Sequence, residues 1–242
     1  MTKAPTLGKA GMAWARGLVR REGLLRSLVI GVGTLAGVVV DYLPSRRRMR
    51  YGDIDYDFDN RVNTTWAQPS LAVRLREVFT RGKYMPSEPE VFHAIVGGLG
   101  IEYERFTFVD LGSGKGRTLL MASDYPFKKI VGAEIIPELH ATGLVNLVKY
   151  KSEAQKCFSI EAWLGDAREF PLPPGPLVVY LFNPFPADVL REVLERIQAL
   201  AGSYVIYHNL VHPDVFEEMT WLERLSGNER WTVFRVRGER KR

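Results

Sequence analysis

The sequence predicts a doubly wound α/β fold on a mainly parallel sheet, and three observations predict it. From residue 101 onward, short apolar runs of strand length alternate with amphipathic segments of helix length. Several of those runs are continuously apolar, as strands covered on both faces require. The last two runs, TWLERLS (220–226) and WTVFRVR (231–237), are separated by a short turn over GNE and predict an antiparallel closing hairpin.

The chain has 242 residues, which suits one α/β domain with an N-terminal extension. A hydrophobic content of 46% supplies a sizeable core. The single cysteine, Cys157, excludes an internal disulfide and a Cys-based metal site. It fits a reducing, cytoplasmic compartment and reads as a packing residue at the start of a strand. No metal-ligand spacing is present.

Charge is uneven along the chain. Residues 1–50 hold ten Lys/Arg and two acids, residues 51–229 hold 17 bases and 25 acids, and residues 230–242 hold six bases and one acid. An acidic body with basic ends is not the pattern of a uniformly basic nucleic-acid binder, so no clear nucleic-acid site is expected.

Residues 1–50 form a basic extension. Arg16, Arg20, Arg21 and Arg26 are spaced like the polar face of a helix. Residues 28–40, LVIGVGTLAGVVV, are apolar but shorter than the roughly 20 residues a span needs. A docked or surface helix, a peripheral membrane contact, and a signal segment or true span stay open for it. In YGDIDYDFDNRVNTTW, acids alternate with Ile54, Tyr56 and Phe58, which predicts an exposed edge or an acidic lip for a cationic substrate. A calcium loop is excluded, because Phe58 and Thr64 stand where Gly and Glu are required.

The elements then follow in order. Ser70 caps a helix through LAVRLREVF. Ser87 and Glu90 form a capping box for a helix ending at Gly97 and Gly98. FTFVDLG (106–112) is strand one, followed by the helix GRTLLMASD; KIVGAEI (129–135) is strand two. The helix PELHATGLVNLVKYKSEAQ offers Leu139, Leu144, Leu147 and Val148 to the core. FSIEAWLGD and PLVVYLFNPF are strands three and four. PADVLREVLERIQALAG is a helix, SYVIYHN strand five, and VHPDVFEEM a short helix before the hairpin.

The chemistry concentrates in Val109-Asp110-Leu111-Gly112-Ser113-Gly114-Lys115-Gly116-Arg117, between a strand and a helix. Glycines there permit a tight turn and close approach of backbone to a ligand. A phosphate-binding Walker loop is excluded, since Gly116 follows Lys115 and Val109 holds the earlier glycine position. The dinucleotide fingerprint would need Gly where Arg117 stands. A G-x-G-x-G spacing remains.

VDLGSGKGR resembles the first motif of class I, seven-strand S-adenosylmethionine-dependent methyltransferases, and is closest to the form in seven-strand protein lysine methyltransferases. The resemblance covers about residues 80–238. It implies a Rossmann-like sheet of order 3-2-1-4-5-7-6 with strand 7 antiparallel, and S-adenosyl-L-methionine as cofactor. It divides residues 51–242 into preceding helices and a cofactor lid (51–100) and the core (101–242). It implies that Asp110 positions the methionine moiety and that Gly112, Ser113, Gly114 and Gly116 wrap it. Glu134, at the end of strand two, is implied to accept both ribose hydroxyls; the alternative is an exposed strand-end acid. Asp166 in LGDA is implied to receive the adenine amino group, with a simple Gly-Asp turn as alternative. Asn183-Pro184-Phe185-Pro186 resembles the acceptor motif of amino-group methyltransferases with its last two places altered. Asn183 would hold the acceptor amine and touch the cofactor, and Phe185 would stack on or cover it, unless it is an aromatic plug. Tyr84, in KYMPS, resembles a residue that folds over the cofactor. His208 is a candidate base or a structural histidine.

Three functional readings follow. One is methyl transfer to an amine, including a protein lysine. Another is methylation of a lipid-soluble small molecule at a membrane surface. The third is a cofactor-binding module without catalysis.

Overall fold

The computed structural model of the chain describes residues 7–41, 54–65, 86–182 and 185–237. By packing, the chain divides into residues 2–86 and residues 87–242. The expected helix from Ser70, and Tyr84 with the lid it belongs to, lie outside the described residues.

In residues 87–242, seven strands make one sheet: β1 (Thr107–Leu111), β2 (Lys129–Glu134), β3 (Ile160–Leu164), β4 (Leu177–Phe182), β5 (Tyr204–His208), β6 (Leu222–Gly227) and β7 (Trp231–Val236). Their order is β3-β2-β1-β4-β5-β7-β6. Strands β1 to β5 pair in parallel, and β7 runs antiparallel between β5 and β6. The order and the single reversed strand agree with expectation. The carboxyl ends of β1, β2 and β4 converge where the order switches direction beside β1, the position at which open α/β sheets hold ligands.

Apolar residues buried on both sides explain the central strands. Side chains alternate across a sheet. Val109, Leu111, Val131, Ala133, Val179, Leu181, Val205 and Tyr207 point to one face and join Leu190, Val193, Leu194, Val215 and Phe216 in one cluster. On the other face, Phe92 packs its ring against Phe108 and Tyr180, with centroids 5.9 and 5.4 Å away. Each fully buried side chain of this size contributes about 1.5–3 kcal/mol, so the two faces outweigh the modest strand propensities.

The helices of residues 7–41 and 54–59 are α1 (Leu7–Asp41) and α2 (Ile54–Asp59); α3 (Pro89–Gly97) opens the second unit. It is followed by α4 (Arg117–Ala122), α5 (Pro137–Lys149), α6 (Ala187–Ile197) and α7 (Pro213–Glu218). Three local expectations change. The acidic run forms the helix α2, not an extended edge, and its Asp57 is buried. Asp57 Oδ2 accepts the N–H groups of Thr64 (2.8 Å) and Thr65 (2.7 Å), and both threonine hydroxyls donate to the same carboxylate. Burial acts to raise the pKa of Asp57, but these bonds outweigh it and hold it below the usual carboxylate range.

The capping box at Ser87 does not form. Glu88 is the residue before α3, without a side-chain cap, and Ser87 Oγ instead accepts the hydroxyl of Tyr180 at 2.9 Å. In α5, Leu139 is buried, but Leu144 and Val148 are exposed. Its inner face is Leu139, Gly143 and Asn146. What α5 packs on is backbone, the glycine turn, so it presents its smallest residue and a hydrogen-bonding amide there in place of leucines.

The same turn explains Gly132 in the middle of β2. A Cβ at position 132 would lie 2.7 Å from both Leu119 Cδ1 and Ser113 Oγ. Gly132→Ala is therefore expected to destabilise the domain by about 1–3 kcal/mol, the cost of overpacking. Thermal unfolding of the purified variant measures it; an unchanged midpoint would show that the turn has room to shift.

Candidate functional site

β1 delivers Asp110 and Leu111 to the carboxyl edge, where the chain must reverse into α4. It does so over Gly112 (φ 98°), Gly114 (φ 53°) and Gly116 (φ 82°), all in the left-handed region where a Cβ is strained. The N–H groups of Gly112 and Ser113 both donate to Ala133 O of β2, at 2.8 and 2.9 Å. Asn146 Nδ2 of α5 donates to Lys115 O at 2.9 Å. At Gly143 a Cβ would stand 3.4 Å from the carbonyl carbon of Lys115. The turn is thus pinned from the β2 side and from the α5 side.

Glu134 completes the pinning. Its Oε2 accepts the N–H of Gly114 and its Oε1 the N–H of Ile136, each at 2.8 Å. Glu134 is buried, and burial raises its pKa against the backbone donors of Ile136, Gly114 and Ile135, which lower it. A carboxylate has about four acceptor positions. The N–H groups of Gly114, Ile136 and Ile135 take up three of these and leave the carboxylate able to accept one more.

Asp110 is 3% exposed. Burial pushes its pKa up to about 7; the hydroxyl of Thr118, which donates to Oδ2, opposes this, and the charge of Glu134 adds to it. Two carboxylates with raised pKa at neighbouring strand ends form a locus suited to a cation or a hydroxyl-rich ligand.

Asp166 lies beyond the end of β3, next in the row: β2 and β3 pair Glu134 with Leu164, and Gly165 N–H donates to Glu134 O at 3.0 Å. Its carboxylate is held by Arg168, through Nη2 at 2.7 Å, Nε at 3.1 Å and the backbone N–H at 2.9 Å. The Arg168 guanidinium keeps the pKa of Asp166 below the usual range, against the effect of burial. Arg196 fixes the same loop by donating to Ala167 O (2.9 Å) and Phe170 O (2.6 Å). A ligand amino group at Asp166 would share the carboxylate with Arg168.

Of the remaining expected residues, Asn183 lies outside the described residues, as does Tyr84. Phe185 is partly buried and packs against the hydrophobic cluster beneath α6. The structure therefore brings together Asp110, Gly112, Ser113, Gly114, Gly116 and Glu134, sets Asp166 one strand further along, and commits part of the Phe185 ring to the core.

Sequence reasoning missed the residues that support the turn from behind: Gly132, Gly143 and Asn146. A glycine inside a strand and another inside a helix were the available signals of close backbone approach. It also missed a buried polar chain. Tyr180 Oη lies 2.7 Å from His208 Nδ1 and 2.9 Å from Ser87 Oγ. His208 is 2% exposed, with the Phe182 ring tilted against it, centroids 4.5 Å apart. Burial lowers its pKa to about 4, with Arg230 contributing. It is a neutral hydrogen-bonding group at pH 7 with little drive to take a proton. Among the described residues, no cluster of three or more His, Cys, Asp or Glu could hold a metal ion.

No family model matches this chain, and no curated protein matches it. Solved structures do. A protein predicted to be an N6-adenine-specific DNA methylase, from Listeria monocytogenes, superposes with a TM-score of 0.50 at 15% identity, over 64% of this chain and 52% of its own. This chain has the class I methyltransferase fold. An RNA methyltransferase from Salinibacter ruber, in complex with S-adenosyl-L-homocysteine, superposes with a TM-score of 0.47 at 22% identity, over 64% of this chain and 95% of its own. In the methyltransferase fold of this chain, the glycine turn, Glu134 and Asp166 occupy successive strand ends from β1 to β3.

The raised carboxylates give a pH signature. Where a folded pKa lies above the unfolded value, the folded state binds more protons over that window, so stability falls as pH rises. For Asp110 the window runs from 3.8 to about 7. Asp110→Asn removes that contribution, so the variant's stability relative to the wild type is expected to increase from pH 4 to pH 7. Chemical denaturation across that range tests this; a constant difference would mean that Asp110 is ionised in the fold at low pH.

Proposed function

We propose that this protein is an S-adenosylmethionine-dependent methyltransferase acting on an amine nitrogen, with a protein lysine as the acceptor. The observation that carries the reading is the turn of three left-handed glycines bound to the carboxylate of Glu134 and bordered by buried Asp110. Its residues fit the cofactor. Backbone without Cβ atoms at 112, 114 and 116 leaves room for a ligand chain, and the Glu134 carboxylate retains acceptor capacity for a ribose hydroxyl. Asp110 faces the role of pairing with the methionine ammonium. Asp166 and the N–H of Ala167 serve the adenine edge.

S-adenosylmethionine, when bound, supplies a methyl group already activated on a sulfonium. What the protein contributes is proximity and orientation, which are worth effective molarities on the order of 10⁵ M or more. A cationic ligand beside Asp110 favours its ionised form. Because free Asp110 titrates near pH 7, binding at that pH releases protons, and affinity falls as pH drops below about 7.

The acceptor amine must be neutral to attack. A lysine starts with a pKa near ~10.4, and burial lowers it. Asn183, which follows β4 in the sequence, would accept the acceptor N–H with its side-chain carbonyl, and Phe185 would cover its alkyl chain. The acidic body, 25 acids against 17 bases over residues 51–229, favours a cationic macromolecule over a polyanion.

Two measurements test the reading. Glu134→Ala is expected to weaken S-adenosylmethionine binding by about 1–3 kcal/mol in calorimetry, the scale for hydrogen bonds to a charged group; unchanged affinity removes Glu134 from the site. A methyl-labelled donor added with the protein to cell lysate is expected to mark a protease-sensitive band. Label removed by nuclease would replace lysine with a base amine as acceptor, and label extracted with lipid would point to a small molecule.

A further inference from the structure

The N-terminal helix α1 is not one rod. At Gly23 the backbone leaves the helix (φ 75°, ψ 169°), a conformation that favours glycine. A straight helix would hold positions 14 and 31 about 25 Å apart. Instead, a Cβ built on Gly31 would lie 3.9 Å from Cη2 of Trp14. The chain therefore folds back on itself at Gly23 as a helical hairpin with arms 7–22 and 24–41.

The second arm is packed inside out by the standards of a water-soluble helix pair. Its sheltered side carries Ser27, Gly31 and Thr34. Ser27 is 7% exposed, with its hydroxyl bonded to Gly23 O at 2.6 Å, and Thr34 bonds Ile30 O at 2.7 Å. Its outer side carries Leu24, Leu25, Leu28, Val29, Val32 and Leu35, with exposures from 45% to 83%. At 3.6 residues per turn these six share one arc of about 140°. Small residues where helices touch and large apolar residues facing out is the arrangement used where the surroundings are themselves apolar. In water it leaves a continuous apolar patch, the mark of an interaction surface.

The charges beside this patch indicate its occupant. Arg16, Arg20, Arg21 and Arg26 are all exposed on the same hairpin, and the sequence that follows it adds Arg46, Arg47, Arg48 and Arg50. The hairpin's acids are Glu22 and Asp41, and Glu22 lies 3.7 Å from Arg26. An apolar face flanked by arginines complements the acyl boundary and phosphate headgroups of an anionic bilayer. Among the described residues no helix is long and apolar enough to cross a membrane, so the fit is to the membrane surface.

We propose that the hairpin of residues 7–41 docks this protein on an anionic lipid surface, with Leu24, Leu25, Leu28, Val29, Val32 and Leu35 entering the acyl boundary and the arginines meeting headgroup phosphates. The proposal is independent of the methyl-transfer reaction.

The test is co-sedimentation of the full chain with phosphatidylcholine vesicles with and without phosphatidylglycerol. Binding is expected only with phosphatidylglycerol, and raised salt weakens it. Leu25→Glu combined with Val29→Glu is expected to lower the partition coefficient by about tenfold or more, given the transfer free energy of such side chains. No sedimentation with phosphatidylglycerol vesicles, or equal sedimentation of wild type and variant, overturns the proposal. So does an unfolding midpoint lowered by the two substitutions, since the face would then be packed within the chain. A concentration-dependent dimer that the substitutions abolish also overturns it, because a second copy would be the occupant. If the double variant fails to fold, an environment-sensitive fluorophore on Leu25→Cys, in a Cys157→Ser background, gives the second readout. Its emission is expected to shift to the blue on adding phosphatidylglycerol vesicles; an unchanged spectrum counts against docking.

Discussion

The carboxylate of Glu134, bonded to the N–H groups of Gly114 and Ile136, is the interaction on which the site rests. A turn made of left-handed glycines has little preference of its own, because glycine loses more backbone freedom on ordering than any other residue. Two oxygens fixed at the end of β2 select one conformation. The strand behind them contributes by what it lacks: Gly132 has no side chain, so Ser113 and Leu119 settle directly onto β2. From the other side, Gly143 and Asn146 of α5 close on Lys115. The outcome is a backbone loop held at four points, with its ligand-facing side left to small groups.

Electrostatics at this edge follow from the same packing. Asp110 and Glu134 are both withdrawn from water, and each is held by local hydrogen-bond donors. That keeps them responsive to an incoming cation or hydroxyl. Asp166 differs, since Arg168 already holds it ionised. Three acids in a row on adjacent strands thus have three environments, set by burial, backbone donors and a guanidinium in turn.

The N-terminal unit obeys a different rule. Residues 87–242 gather most of their large apolar side chains into the core on the two faces of the sheet. The hairpin of α1 shelters Ser27 and Gly31 and exposes leucines and valines. Both patterns follow from matching a surface to its surroundings.

The order of strands and helices was legible in the sequence because buried parallel strands are written as continuous apolar runs, and glycines mark where they turn. Asp110, the glycine turn and Glu134 were legible for the same reason: a local motif and a fixed spacing placed them at strand ends. Four features were not. The acidic run looked extended because alternation is visible in one dimension, yet Asp57 is buried by partners at Thr64 and Thr65 that close a turn. Leu144 and Val148 looked like core because helical periodicity cannot say what the helix meets, and here it meets backbone. Ser87 was spent on Tyr180, far away in sequence, in place of a cap. The reversal at Gly23 was hidden because a lone glycine in a helical run is compatible with continuation or with a bend. Local sequence fixes periodicity and turn chemistry, which need only near neighbours; which face is buried, and against what, is set by contacts between distant segments, and those exist only once the chain has folded.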